Sequence, residues 1–368
     1  MSKVRFSVRS AAAAGLVAAI TIAGQAAAGA ASTGHLATAR PAAPSWHITK
    51  SVTAPKNGVF TALAATGKTT AWAFDSSGNS STEPTAWVLR NGKWTKAPFP
   101  GKNDETVLNA AATSPNDVWA FTEGFTKTGI VSRVLHWNGH AWSVVKTFPD
   151  IISEGAEVAP NDVWVFGEGA QSSAYYYNGH TWTWEGSDVD GGSVLAANDA
   201  WGYTGTFVEH WPGHKWVATN VASLLPKKTP LNDPHVTGVL ALAPNNVYAF
   251  GQGFASSGCG PTVILHFNGH VWRQVAKGNF GCGPITQMAT SDGSGGLWLP
   301  MPDINALPSY LVHYSNGKLT EAALPGGFLQ YQIQGVAHFP GTTRELAGGF
   351  KHPVNNPNTG TAVILQYS

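Results

Sequence analysis

The sequence predicts an all-β fold, a seven-bladed β-propeller of four-stranded blades, and three observations predict it. A strand-like text, Asn116-Asp117-Val118-Trp119-Ala120-Phe121, recurs along the chain. A hairpin text, His136-Trp137-Asn138-Gly139-His140-Ala141-Trp142, follows it and recurs with it. The segment ending at Ser368 has the character of a strand without its partner, and residues 45–52 have the character of that partner.

Within one repeat the elements follow in order. The inner strand, a, is an apolar stretch rich in small residues: 60–64, 107–111, 155–159, 193–197, 236–243, 285–289 and 333–337. Small side chains suit a strand crowded near a central axis. Strand b is the Asn-Asp text. Its copies are Asn161-Asp162-Val163-Trp164-Val165-Phe166, Asn198-Asp199-Ala200-Trp201-Gly202-Tyr203 and Asn245-Asn246-Val247-Tyr248-Ala249-Phe250, with Thr70-Ala71-Trp72-Ala73-Phe74 as a weaker first copy. Apolar residues alternate there with small or polar ones, the period of a strand. Strands c and d form the hairpin text, with relatives at 175–182, 208–216, 264–272 and 311–319. Its Asn-Gly or Pro-Gly pair predicts a tight primed turn, which needs positive φ. The turn glycines are Gly92, Gly139, Gly179, Gly213, Gly269 and Gly317, on average about 45 residues apart, the length of one four-stranded blade. No stretch has the pattern of an amphipathic helix. Residues 363–367 are then a strand c, and residues 45–52, which include Trp46, supply the missing d. Six complete blades and one shared blade result, with the N-terminal strand completing the last blade and hiding its edge.

The N-terminal 31 residues are a separate object. Lys3, Arg5 and Arg9 precede an apolar run at 11–24, and small residues with expected cleavage after Ala28 or Ala31 complete a secretory signal peptide. The run of about 14 residues is short for a membrane span, which takes roughly 20. Residues 32–44, rich in Ala and Pro, are expected to be a flexible leader, and 45–368 the propeller. The expectation is a secreted, extracellular monomer without a membrane span. Hydrophobic residues make up 43%, enough for a large core. With 22 basic against 21 acidic residues, no net field draws the chain to nucleic acid.

The repeated Asn-Asp-Val-Trp-Ala-Phe and His-Trp-Asn-Gly-His-x-Trp texts resemble those of secreted propeller-repeat proteins common in actinobacteria, and more distantly kelch and galactose-oxidase propellers. The resemblance covers residues 45–368 and implies the propeller fold. It departs from kelch repeats in lacking their Gly-Gly pair, and from WD repeats in lacking their Gly-His and Trp-Asp signature. Ser291-Asp292-Gly293, leading to Trp298, resembles the Asp-box of sialidase-type propellers. No activity follows from the fold, since propellers host many functions.

Chemistry-bearing residues divide by whether they obey the repeat. His136, His210, His266 and His313 share one position in strand c, and His140, His180, His214 and His270 another after the turn Gly. Residues repeated around a ring are expected to pack or hydrogen-bond, and the thirteen Trp at repeat positions to pack between blades. Trp87 and Trp184 break the pattern and are candidate stacking platforms, and His338 could reach the axis. By analogy with the fold, the b–c and d–a connections share one face. That face is predicted to carry Asp75, Glu123, Glu168 and Gln252 after strand b, and Asp104, Glu105, Asp150, Glu154, Asp188, Asp190 and Asp233 between blades. The connection 219–235 is the longest, and long loops are commonly functional. Candidate ligand contacts are therefore Glu123, Glu168, Asp188, Asp190, Lys227, Lys228, Asp233 and His235. Cys259 and Cys282, each in Gly-Cys-Gly-Pro and each in a loop on that face, are expected to form a disulfide in an oxidising compartment. No zinc, EF-hand, nucleophile-elbow or phosphate-loop motif is present, so no metal or cofactor is expected. The composition and motifs favour a non-catalytic binding module for an extracellular glycan, cell-wall polymer or protein. The alternative is a polysaccharide hydrolase or lyase with two carboxylates at the channel mouth, about 5 to 9 Å apart.

Overall fold

The computed structural model describes residues 43–52, 58–77, 83–127, 129–167, 173–229, 232–255, 258–280, 289–301, 310–326, 329–353 and 360–368. The chain divides into Met1–Ala43 and Pro44–Ser368, and the second unit holds all the strands below. The expected signal peptide and leader lie outside the described residues up to position 42, as does Glu168. Among the described residues no helix is long and apolar enough to cross a membrane.

The predicted strands form in the predicted order. β1 is Trp46–Val52. Blade 1 is β2 Gly58–Ala65, β3 Ala71–Ser77, β4 Thr85–Arg90 and β5 Lys93–Ala97. Blade 2 is β6 Glu105–Ser114, β7 Asp117–Thr126, β8 Gly129–Trp137 and β9 Trp142–Phe148. Blade 3 is β10 Glu154–Ala159, β11 Asp162–Gly167, β12 Ser173–Tyr177 and β13 Trp182–Ser187. Blade 4 is β14 Gly191–Ala196, β15 Asp199–Thr204, β16 Phe207–Trp211 and β17 Val217–Asn220. Blade 5 is β18 His235–Ala243, β19 Asn246–Ala255, β20 Gly258–Phe267 and β21 Trp272–Gly278. Blade 6 is β22 Thr290–Ser291, β23 Leu297–Met301, β24 Tyr310–Ser315 and β25 Lys318–Glu321. Blade 7 is β26 Leu329–His338, β27 Glu345–Pro353 and β28 Thr361–Tyr367, and its fourth strand is β1. Each blade is an antiparallel sheet, and in blades 1 to 6 its strands lie in sequence order.

Closure is as expected. β1 runs antiparallel to β28 from Trp46↔Tyr367 to Val52↔Ala362, with one bulge between Ile48 and Lys50. Beyond the strands, the Ser45 amide donates to the Ser368 carbonyl and the Ser368 amide to that of Ser45, at 3.2 and 3.3 Å.

The apolar core sits between blades rather than inside them. One cluster joins Trp72 and Phe74 of blade 1 to Val107, Val118 and Leu135 of blade 2. Another joins Phe121 and Val134 of blade 2 to Val163 and Val165 of blade 3, and each of the seven seams has such a cluster. The repeated Trp make these seams. The strand-d indole of one blade meets the strand-b indole of the previous blade edge-on: Trp142 against Trp72 at 5.3 Å, Trp46 against Trp298 at 5.1 Å, and Trp216 against Trp164 at 6.1 Å. Edge-to-face contact places the positive rim of one ring on the negative face of the other.

Two expectations about loops change. The two-residue turn holds in blades 1 and 6, where Asn91 and Gly92 have φ of 52° and 73°, and Asn316 and Gly317 have 51° and 75°. In blades 2, 3 and 5 the last c–d pairs are Trp137↔Trp142, Tyr177↔Trp182 and Phe267↔Trp272, so each loop holds four residues. There the Asn carboxamide accepts two backbone amides, as Asn138 Oδ1 does from His140 and Ala141 at 3.0 Å each. The glycine remains necessary for a further reason: a Cβ on Gly139 would lie 3.0 Å from the Asn116 side chain, which opens the strand-b text of the same blade. The connection 219–235 is also not a free loop. It carries a 3-10 turn, Ala222–Leu224, and a bridge between Thr229 and Asn232. Leu225 is buried in the seam of blades 4 and 5, where a Cβ on Gly251 would meet it at 2.2 Å.

Candidate functional site

The strand-c histidines are structural, as expected, through a repeated clamp. An Asp at the start of strand b, or in blade 6 in the turn before it, accepts from the His across the sheet, whose ring lies on the strand-b Trp. His136 Nε2 is 2.7 Å from Asp117 Oδ1, with its ring centroid 4.3 Å from that of Trp119. His210 pairs with Asp199 at 2.9 Å and stacks on Trp201, and His313 pairs with Asp292 at 2.8 Å and stacks on Trp298. Blade 3 substitutes Tyr176, whose hydroxyl donates to Asp162 at 2.6 Å. Blade 5 substitutes the acceptor, Asn246, which meets His266 at 2.9 Å, and burial pushes the His266 pKa down. His140, His180, His214 and His270 do not pack: their side chains are exposed, and His140, His180 and His270 serve the c–d loops through their backbone amides. His338 ends β26 bonded to Glu345, Nδ1 to Oε1 at 2.6 Å.

The acids expected on the b–c and d–a face divide into two groups. Some are tied into the fold. Glu105 is buried beside Arg133, which also donates to the Pro100 carbonyl. Glu154 accepts the Gly192 amide of the next blade at 2.6 Å. Asp75 accepts Thr85 Oγ1 at 2.6 Å and the Trp87 indole N–H at 2.9 Å. This last bond, with the Lys50 ammonium 4.0 Å from the Trp87 ring centroid, removes Trp87 as an open platform. Buried Gln252 donates to the Gly260 carbonyl at 3.3 Å. Glu123 lies half-buried opposite Thr106 and Ser132, and Asp190 donates its amide to the Tyr203 carbonyl at 2.9 Å.

Others stand in solvent. Lys228 and Asp233 pair at 2.7 Å, each side chain 74% exposed, and this contact holds the Asp233 carboxyl below its usual pKa. Lys227 accepts the Asn232 side-chain amide on its carbonyl at 2.7 Å, and His235 begins β18 opposite Gln252. Asp188 is exposed with φ of 68°. The structure adds Phe125 and Glu209, which the sequence reading passed over, and leaves the expected platform Trp184 open. Phe125 is 64% exposed on the long b–c hairpin of blade 2, and Trp184 is 56% exposed on β13. Glu209 in β16 faces the Asp188 charge, and burial followed by that charge pushes its pKa up. A signal for Glu209 exists in the repeat: the residue before the clamp His or Tyr is elsewhere Leu135, Tyr175, Leu265 or Val312.

Two cavities lie at seams. One of about 380 Å³ lies between blades 1 and 2, lined by Pro98, Phe99, Pro100, Trp137, His140 and Trp142. The other, about 130 Å³, is lined by Phe148, Asp150, Ile152 and Tyr175 between blades 2 and 3. Among the described residues no group of three or more His, Cys, Asp or Glu is arranged to hold a metal ion. Cys282 and the Cys259 side chain lie outside the described residues; the Cys259 backbone is inside β20 rather than in a loop, because the hairpin pairs on past a bulge to Phe254↔Cys259.

No family model and no curated protein matches the chain. Solved structures do. YCF48 bound to a D1 peptide is 12% identical, covering 88% of this chain and 96% of that one, with a TM-score of 0.54. The β-propeller domain of Cps50 (Swd1) from Myceliophteria thermophila is 8% identical over 87% and 99%, with a TM-score of 0.56. Sqt1 from Chaetomium thermophilum, bound to the N-terminus of the ribosomal protein L10, is 12% identical over 86% and 89%, with a TM-score of 0.50. At these identities the likeness is one of fold, a β-propeller.

Proposed function

We propose that the chain is an exported, non-catalytic binding module that takes a peptide or protein segment on the face formed by its b–c and d–a connections. The observation that carries this is Phe125, held 64% exposed on the extended hairpin of blade 2 while the carboxylates of blades 1 to 3, Asp75, Glu105 and Glu154, are spent on internal bonds. A large apolar side chain kept in water on a paired hairpin suits an interface anchor. Lys228, Asp233 and Asp188 are exposed polar groups on the d–a connections of blades 3 and 4. Two of the similar propellers hold peptides, which supports a peptide ahead of a glycan. Export rests on the N-terminal sequence pattern alone. The test screens the mature chain against a displayed peptide library and a glycan array, then repeats the strongest hit with Phe125→Ala. Binding reduced about tenfold or more with an unchanged melting temperature supports the reading. A hit indifferent to Phe125 removes it.

The hydrolase reading keeps one specific observation in its favour. Glu209, in strand c, has its pKa raised by burial first and then by the charge of exposed Asp188, two carboxyls in unlike surroundings. Release of reducing ends from a polysaccharide panel, lost in Glu209→Gln, would favour that reading over simple binding.

A further inference from the structure

We infer that Glu157 of blade 3 and Asp117 of blade 2 share one proton across their seam, so that the ring is clamped at this point in acid and loosened there in base. Glu157 is an exception to the repeat. At its place in strand a blades 2, 4 and 5 carry Ala112, Val194 and Ala241, each opposite an apolar residue of strand b. Glu157 lies on the same side of β10 as Gly155, two residues before it, and a Cβ on Gly155 would meet the Phe121 ring of blade 2 at 2.2 Å. That side is therefore pressed against blade 2.

Hydrogen counting at the seam favours a proton, even with the backbone hydrogen bond that exposed Thr113 also gives Glu157. Asp117 Oδ1 is taken by His136 Nε2 at 2.7 Å. Thr113 Oγ1 lies 3.0 Å from Asp117 Oδ2 and 3.2 Å from Glu157 Oε1. A hydroxyl has one hydrogen and can satisfy only one of the two carboxyls. Glu157 Oε2 is shielded from water and has no hydrogen-bond donor. Two ionised carboxylates in that arrangement repel each other and leave a buried acceptor empty. One protonated Glu157 donating to Asp117 removes both costs.

The surroundings reinforce the protonated form. Besides Asp117, with His136 behind it, the nearest charged group on the paired strand is Asp162, already engaged by the Tyr176 hydroxyl at 2.6 Å. The inner strand of blade 4, Gly191–Ala196, has no titratable side chain, and Glu105 lies at the far end of β6. No lysine or arginine lies on these strands close to Glu157. Burial first, and then the hydrogen bond and charge of Asp117, outweigh the opposing hydrogen bonds from Thr113 and push the Glu157 pKa from 4.5 to about 9.

A carboxyl whose folded pKa is raised contributes stability that is fully present below its unfolded pKa and lost as pH rises through the folded one. The window here runs from about 4.5 to about 9. The experiment uses the intact mature chain. Infrared spectra at pH 7 are compared with those of Glu157→Gln, and melting temperatures of both are followed from pH 5 to 9. The expected result is a protonated-carboxyl band at pH 7 that Glu157→Gln lacks, and a wild-type melting temperature that falls several degrees further over this range than the variant's. Should Glu157→Gln not fold, Asp117→Asn serves instead: it removes the facing charge, so the band must titrate away at lower pH than in the wild type. Absence of the band at pH 7, or parallel melting profiles, overturns the proposal.

Discussion

Blade 5 is a natural variant of the clamp. Where other clamped blades place Asp117, Asp199 or Asp292 under the histidine, it places Asn246, and the His266 pKa is lowered by burial with no carboxylate to oppose it. A histidine with a lowered folded pKa contributes stability above its unfolded value of 6.5 and loses it as pH falls. Asn246→Asp supplies the opposing charge. The expected outcome is a higher His266 pKa in a proton NMR titration and a smaller loss of melting temperature on acidification. An unchanged titration would show that the clamp acts through ring stacking on Tyr248 rather than charge.

Leu225 shows where the connections matter as elements. The segment after β17 was expected to be an open binding loop, yet its apolar side chain closes the seam of blades 4 and 5 beside Gly251. Leu225→Ala should cost about 2 to 5 kcal/mol, the usual range for emptying a packed site, measured by denaturant unfolding. Cutting the loop would consequently unfold the ring instead of removing only a ligand contact. The two cysteines make a second prediction at this scale: Cys259 and Cys282 pair in the exported chain, and mass spectrometry without reductant should show a protein two hydrogens lighter than the reduced form. Two free thiols would end that expectation. Much of this level was legible beforehand, because Asn116-Asp117-Val118-Trp119 and its copies mark strand b unmistakably and each copy brings its own hairpin. The c–d loops were not, since the same Asn-Gly pair serves a two-residue turn at Asn316 and a side-chain-capped four-residue loop at Asn138. Glu157 and Glu209 were visible only as breaks in the register, charges written where the repeat asks for an apolar residue. Phe125 had no such mark, because its exposure depends on how far the hairpin of blade 2 extends.

At the scale of the molecule, closure by β1 is the vulnerable join. Removing residues 45–52 strips β28 of its partner and Trp298 of the Trp46 ring against it. The expected result is a large fall in melting temperature, with exposed apolar surface reported by dye binding. A truncated chain that melts like the mature protein would mean that the join adds little. The placement of the core carries this further. Each apolar cluster is jointly owned by two neighbouring blades, so a blade cut out alone would expose both of its faces. Unlike an open solenoid, which can fray from its ends, the circle has no terminal unit from which to melt. Unfolding is therefore expected as one concerted event, with no single-blade intermediate. Because the Ser45 and Ser368 backbones already touch, the polypeptide can be spliced there and reopened at another c–d loop. Such circular permutants should keep the wheel while moving the join to a different blade.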